Sequence, residues 1–286
     1  MFAYLVAFAK LVRLKNLLII VLTQYISRIC LVGPKSHWKT ILFEKDIFLI
    51  TLSTVLMASA GYIINDYYDI KIDNVNKPER VIIGRIISRR QAMLLHQLLN
   101  VIGIFLGVLL SWKIAFINFM LAFWLWLYSN ALKRKPLVGN LIVALLTSEA
   151  IFVLIFHYQE HHLLIYTFAA FSFLISLIRE IIKDIEDIRG DMQFGCKTLP
   201  IVWGIRKTKA LIYILLLILV FLMISLGYVL QIEVMRWYLI LMILPLFYFV
   251  KKLYWADTKK AYHELSSLCK YIMLSGIVLM LFLPEH

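Results

Sequence analysis

Long apolar runs separated by short polar breaks dominate the chain. A helix that crosses a bilayer needs about 20 mostly apolar residues. Nine segments meet that requirement, at roughly 14–33, 46–64, 92–111, 113–130, 137–157, 162–182, 208–231, 235–253 and 262–283. Gly33-Pro34 closes the first, Lys113 separates the third from the fourth, and Pro245 predicts a kink in the eighth. The pattern predicts an all-α, multi-pass membrane bundle of nine transmembrane helices around a central cavity, a single domain over 1–286.

Composition agrees. The 286 residues are 62% hydrophobic with a mean hydropathy of +0.85, too much apolar surface for a soluble domain of that length to hide. The net charge of +13 would raise nucleic acid as a partner in a soluble protein. In a membrane protein it fits basic loops facing anionic lipid. With the N-terminus inside, segments 1–15, 65–91, 131–136, 179–209 and 251–260 carry 23 of the 30 Lys and Arg. The outer loops carry five, and Arg28 and Lys270 fall within spans. That asymmetry predicts an N-in, C-out protein of the cell membrane, which requires an odd number of spans. The N-terminal run lacks the small-residue cleavage site of a removable signal peptide, so the first span is expected to act as the insertion signal. Cys30, Cys196 and Cys269 are scattered and offer no metal site.

Two polar stretches stand out. Asn65-Asp66-Tyr67-Tyr68-Asp69-Ile70-Lys71-Ile72-Asp73 follows the second span, and Asp184-Ile185-Glu186-Asp187-Ile188-Arg189-Gly190-Asp191 follows the sixth. Each has aspartates at i, i+3 and i+7, which on a continuous helix fall within an arc of about 60°. Both emerge on the predicted cytoplasmic side. A single such motif could be a helix cap or a partner for nearby cations. Two same-face triads at matching depth repel one another unless a cation lies between them. Oxygen-only ligands favour Mg²⁺ or Mn²⁺ over zinc, and Mg²⁺ prefers one or two carboxylates plus substrate phosphates. The basic neighbours Lys71, Lys77, Arg80, Arg179, Lys183 and Arg189 fit a diphosphate held between the clusters. Metal ions and fixed cations would stabilise the charge on a diphosphate leaving group as its C–O bond breaks.

The run NDxxDxxxD followed by Lys77-Pro78-Glu79-Arg80, with a second DxxDxxxD on a nine-span chain, resembles the UbiA superfamily of intramembrane prenyltransferases. Arg13-Leu14-Lys15-Asn16 resembles the family's N-terminal Arg…Asn, and Tyr128-Ser129-Asn130-Ala131-Leu132-Lys133-Arg134 its Tyr…Lys element. The stretch from Arg179 to Asp191 is similar to the RE…KD.ED..GD run of the digeranylgeranylglyceryl phosphate synthases within that superfamily. The resemblance implies Mg²⁺-dependent transfer of a prenyl group, geranylgeranyl for that subgroup, from an isoprenyl diphosphate to a lipophilic acceptor, here a prenylglycerol phosphate. It implies that Asn65, Asp66, Asp69, Asp73, Asp184, Asp187 and Asp191 bind Mg²⁺ and through it the diphosphate, with Asp66, Asp69, Asp184 and Asp187 central to catalysis. Asp73 and Asp191 are assigned an outer role, because Gly190 and the loop after Lys71 could break the helices. Arg13, Lys77, Arg80 and Lys133 would contact diphosphate oxygens, with Asn16, Arg179 and Lys183 also at the substrates.

Other residues leave two readings open. Glu180 lies one turn before Asp184 and could orient an acceptor hydroxyl or pair with Arg179 or Lys183. Phe119, Phe123, Trp124, Trp126 and Tyr128 could wall a prenyl tail or face lipid, and only Tyr128 is assigned to the substrate. His157, His161 and His162 lie across the membrane from the acids, where a solvated loop is the expectation. Arg28 is either functional or reaches the outer interface. A quinone-pathway prenyltransferase with an aromatic acceptor and a cation-coupled transporter are the rival functions. A transporter predicts acids at mid-span, whereas these lie at span ends.

Overall fold

The computed structural model describes residues 2–160, 163–229 and 233–284. Among these residues twelve α-helices follow one another: α1 (Phe2–Leu11), α2 (Leu14–Cys30), α3 (Trp38–Leu42), α4 (Lys45–Asn76), α5 (Arg89–Leu110), α6 (Trp112–Asn130), α7 (Val138–Tyr158), α8 (Leu163–Glu186), α9 (Ile188–Gln193), α10 (Leu199–Val229), α11 (Glu233–Trp255) and α12 (Lys259–Met280). Among the described residues the one pairing of extended backbone is a bridge between Ile83 and Ile87.

Among the described residues seven helices are long and apolar enough to cross a membrane: α4 to α8, α10, and residues Arg236–Trp255 of α11. The two expected spans outside this set have physical reasons. α2 has 17 residues, about 26 Å at 1.5 Å per residue, short of the ~30 Å hydrocarbon core. α12 carries Lys259, Lys260 and Glu264 in its first two turns and Lys270 at mid-helix. Exposed apolar faces on α5, α10 and α11, including Phe105, Leu217, Phe221 and Leu244, are those of helices solvated by lipid rather than water.

Local chemistry sets several boundaries. Ser88 and Gln91 form a reciprocal capping box that starts α5. Ser111, in extended backbone, breaks the run between α5 and α6 and accepts the Ile114 N–H at 3.2 Å. The sequence places that break at Lys113, two residues later. α10 contains a break not foreseen from sequence, at Gly204 with φ 79°. Pro245 lies inside α11.

Three buried clusters organise the bundle. One joins Cys30, Ile47, Ile151 and Ile165 with Met280 at one end. A second packs Ile178, Ile181 and Ile185 of α8 against Leu199, Phe249, Leu265 and Cys269. The third packs Leu11, Val12 and Leu17 against Ile63 of α4 and against Ile83 and Ile87 of the loop beyond it. The last two flank the C-terminal ends of α4 and α8, where the aspartates lie. Two adjoining, largely apolar pockets share Phe168, Phe171 and Gly276. The second reaches Ile175 of α8, nine residues before Asp184 and so about 14 Å along the helix.

Candidate active site

Both aspartate motifs come to the same end of the bundle, but their backbones differ. α4 runs unbroken from Lys45 to Asn76, so Asp66, Asp69 and Asp73 share one helical face as expected, and no loop follows Lys71. α8 ends at Glu186, Asp187 has φ −99° and ψ 7° and caps α9, and Asp191 belongs to that separate short helix. The second triad is therefore not one helical face. The break falls at Asp187 rather than Gly190, and it turns α9 across the end of α4.

Asn76 makes that joint. Its Nδ2 donates to the Asp187 carbonyl at 2.9 Å, and its Oδ1 accepts the Gly190 N–H at 3.0 Å. A Cβ on Gly190 would lie 2.5 Å from Asn76 Nδ2, so the close approach requires glycine. Lys259 of α12 adds a bond to the Asn76 carbonyl. Lys77 then spans the two motifs, with Nζ 2.8 Å from Asp187 Oδ2 and 3.2 Å from Glu186 Oε1. Burial works against the Lys77 charge, but Asp187 and Glu186 outweigh it and hold the ammonium above the usual lysine range.

The other carboxylates have fixed partners as well. Arg13 Nη2 donates to Asp66 Oδ1 at 2.8 Å, and the guanidinium stacks 4.7 Å from the Tyr62 ring centroid. Arg13 joins α1 to α2 in a left-handed conformation with φ 54°, backbone strain of the kind that collects at functional sites. Asn65 lies beside Asp66. Lys133 pairs with Asp69. Lys133 sits in a single 3₁₀ turn, Leu132–Arg134, against the start of α7. A Cβ on Gly139 would lie 2.8 Å from the Lys133 Cα, so glycine permits that contact. Asn140 Nδ2 donates to Asp184 Oδ2 at 2.8 Å.

The two motifs also sense one another. Asp73 lies within electrostatic reach of Asp187. Burial, then the charges of Asp187 and Asp69, push the Asp191 carboxyl up to about 7. Tyr128 lies within electrostatic reach of Glu180, Asp184, Asp69 and Arg13, so it faces the site. Phe119, Phe123, Trp124 and Trp126 are exposed on the outside of α6. Glu180 binds Arg179 Nη1 at 2.7 Å and Lys183 Nζ at 2.9 Å, the pairing alternative for that residue. Asn16 donates to the Tyr62 hydroxyl at 3.4 Å and accepts from Lys270 at 3.1 Å.

Arg80 is the substrate-contact assignment the geometry does not bring in. Its side chain is 60% exposed and its nearest acid is Glu79 at 3.9 Å, because the 3₁₀ turn Pro78–Arg80 carries the chain outward after α4. Away from the site, Arg28 pairs with Glu44 at 2.9 Å and lies over the Tyr158 ring, and His157 lies 3.0 Å from Asp46. His161 and His162 fall outside the described residues. Sequence reasoning missed Asn76, Asn140, Lys259 and Lys270. Asn140 and Lys270 carried a usable signal, a polar side chain inside an otherwise apolar span. Asn76 carried none beyond closing the first motif.

The donors suit a hard divalent ion. They are oxygens without thiolate, and Asp187 Oδ1 is buried with no hydrogen-bond partner. Among the described residues no three His, Cys, Asp or Glu side chains converge as a protein-only metal cage. Mg²⁺ does not need one, since it takes one or two carboxylates and completes its octahedron with phosphate and water.

Fold and site together define an all-helical membrane protein in which two carboxylate motifs, interleaved with lysine and arginine, close one end of an apolar bundle. The chain belongs to the UbiA prenyltransferase family, whose model matches residues 20–272. It is 35% identical over 216 residues to the digeranylgeranylglyceryl phosphate synthase of Sulfurisphaera tokodaii, covering 75% of this chain and 76% of that one. It is 34% identical over 239 residues to the Methanosphaera stadtmanae protein of the same name, covering 82% and 87%. Among solved structures, one described as giving insight into digeranylgeranylglyceryl phosphate synthase in membranes superposes with a TM-score of 0.70 at 25% identity over 96% of each chain. A UbiA homologue from Archaeoglobus fulgidus bound to geranyl diphosphate (GPP) and Mg²⁺ superposes with a TM-score of 0.68 at 14% identity, covering 96% of this chain and 99% of that one, a likeness of fold.

Proposed function

We propose that this chain is a Mg²⁺-dependent prenyltransferase that moves a geranylgeranyl group from its diphosphate to a prenylglycerol phosphate. The observation that carries the reading is the joining of both aspartate motifs at one end of the bundle, bridged by Lys77 to Asp187 and tied by Asn76 to α9. The curated relatives named for this synthase support the acceptor. The homologue structures with dimethylallyl diphosphate (DMAPP) or GPP and Mg²⁺ support the donor and the ion.

The fit of donor set to ion assigns Asp66, Asp69 and Asp73 of α4, with Asp184, Asp187 and Asp191, as the groups that would hold Mg²⁺, and Asn65 beside them. Bound there, Mg²⁺ would neutralise a diphosphate as it departs. Arg13, Lys77 and Lys133 already pair with motif carboxylates, and each can turn its charge to a diphosphate oxygen. Ionisation breaks the C–O bond to the diphosphate and leaves an allylic carbon cation, and the acceptor hydroxyl oxygen bonds to that carbon as its proton passes to the departed diphosphate. Tyr128 faces this point and can stabilise the cation. The apolar cavities that reach Ile175 lie at a depth suited to a long prenyl tail and shelter the reaction from water.

The same reading takes α2 and α12 as the eighth and ninth spans, which restores an odd count, an N-in, C-out topology and a site at the cytoplasmic face of the cell membrane. It treats the chain as one catalytic domain. The test is purified protein in detergent with labelled geranylgeranyl diphosphate, Mg²⁺ and a panel of acceptors. Prenylglycerol phosphate should be prenylated, and EDTA should abolish the product. Transfer to an aromatic acceptor alone would overturn the acceptor, and no transfer at all would overturn the reading.

A further inference from the structure

The three cations that pair with motif carboxylates do not exhaust the positive charge at this end of the bundle. Lys270 lies on α12, where its Nζ donates to Asn16 Oδ1 at 3.1 Å. It has no carboxylate partner among the described residues. The strongest charge effects on it come from Arg179, Lys183, Arg13 and Arg80, all positive. Arg179 and Lys183 are one turn apart on α8 and share the single carboxylate of Glu180. The Arg179 Nε is buried and has no hydrogen-bond partner. Arg13 is matched by Asp66, and Arg80 sits exposed at the rim beside Glu79.

Arg179, Lys183 and Lys270 have one directly paired carboxylate among them, Glu180, which leaves two of their positive charges without a salt-bridge partner in a half-buried patch. Charge of one sign gathered out of water is costly unless a counter-charge joins it. A phosphate monoester carries about −1.5 to −2 near neutral pH, which matches the surplus. It also accepts charge-assisted hydrogen bonds from guanidinium and ammonium groups. A diphosphate between the aspartates would leave Arg179 free for a second anion, because Arg179 lies five residues before Asp184, about 7.5 Å along α8.

We propose that Lys270 of α12, with Arg179 and Lys183 of α8, forms a second anion subsite that takes the phosphate monoester of the acceptor lipid. The proposal rests on the prenylglycerol phosphate reading above and deepens it. The donor diphosphate lies between the aspartates, the acceptor phosphate lies on the α8–α12 side, and the acceptor hydroxyl reaches toward the allylic carbon from there. Lys270 is then a specificity residue, the group that distinguishes a phosphorylated acceptor from a neutral one.

Binding in EDTA isolates this subsite, since it removes any divalent ion from the carboxylates. The probes are geranylgeranylglyceryl phosphate, the corresponding alcohol without phosphate, and inorganic phosphate as competitor, with the full chain in detergent. Wild type should bind the ester about tenfold or more tighter than the alcohol. Lys270→Met should lose most of that preference with alcohol binding unchanged, Lys270→Arg should restore it, and Lys183→Gln on the facing helix should reproduce the loss. Inorganic phosphate should displace the ester from wild type. An unchanged thermal unfolding midpoint in detergent reports that each variant is folded. Two results would overturn the proposal: undiminished ester preference in both Lys270→Met and Lys183→Gln, or equal losses of ester and alcohol, which would make Lys270 a support for Asn16. Failure of the functional reading would appear separately, as absent prenyl transfer in Mg²⁺ with the binding preference intact.

Discussion

Replacing Asn76 with alanine tests whether the joint between α4 and α9 sets the geometry of catalysis. Asn76 is 7% exposed and makes two hydrogen bonds across the joint, of 2.9 and 3.0 Å. The Asp187 carbonyl would keep its bond from the Asp191 N–H at 3.2 Å, so its loss is small, about 1 kcal/mol. The Gly190 N–H would be left without its asparagine oxygen, at about 1–3 kcal/mol. The joint therefore weakens by about 2–4 kcal/mol, enough to free α9 while the long helices hold the rest of the bundle. A displacement of about 1 Å in Asp187 or Asp191 costs up to ~10²-fold in rate. In detergent, Asn76→Ala should lower kcat/KM by about 10- to 100-fold with a much smaller change in the unfolding of the whole bundle. A variant within threefold of wild type would refute the joint as a catalytic determinant.

Two further outcomes follow from the same geometry. Gly190→Ala should mimic Asn76→Ala, because its new methyl would meet the Asn76 side chain; equal turnover by the variant and wild type would show that α9 can shift at no cost. Asp191 holds its proton up to about pH 7, and a metal ion must displace that proton to bind. The carboxyl is protonated below that value and ionised above it, so Mg²⁺ should bind more tightly as pH rises. Mg²⁺ titrations of activity should show about tenfold weaker dependence at pH 6 than at pH 8, and a flat response would exclude Asp191 from the ion's environment.

Much of this architecture is legible in the chain because lipid imposes a strict code. Apolar length predicts the helices, and α5 to α8 fall within a few residues of their expected places. The limits of that code are also physical. A helix need not stop where the membrane does, so apolar length placed the end of the second span at 64 whereas α4 continues to Asn76. The i, i+3, i+7 spacing was sound for the first motif, where the helix continues, and misleading for the second, where Asp187 breaks it. Arg13 and Lys133 are reached through the resemblance to the UbiA family, and Lys77 also as a cation beside the first motif. Asn76 and Gly190 are not, since their roles exist only once α9 folds back onto α4. Arg80 looked equivalent to Lys77 in sequence, but the turn between them sends one inward and the other outward.

Geranylgeranyl diphosphate binding, measured with and without Mg²⁺ in wild type, Asp66→Asn, Asp187→Asn and the double variant, addresses the shared ion most directly. If the two motifs clasp one metal–diphosphate unit, wild type binds only with Mg²⁺, each single change removes several kcal/mol, and the double change costs little more than either alone. Binding that survives EDTA, or losses that simply add, would mean that the aspartates do not act together on the diphosphate.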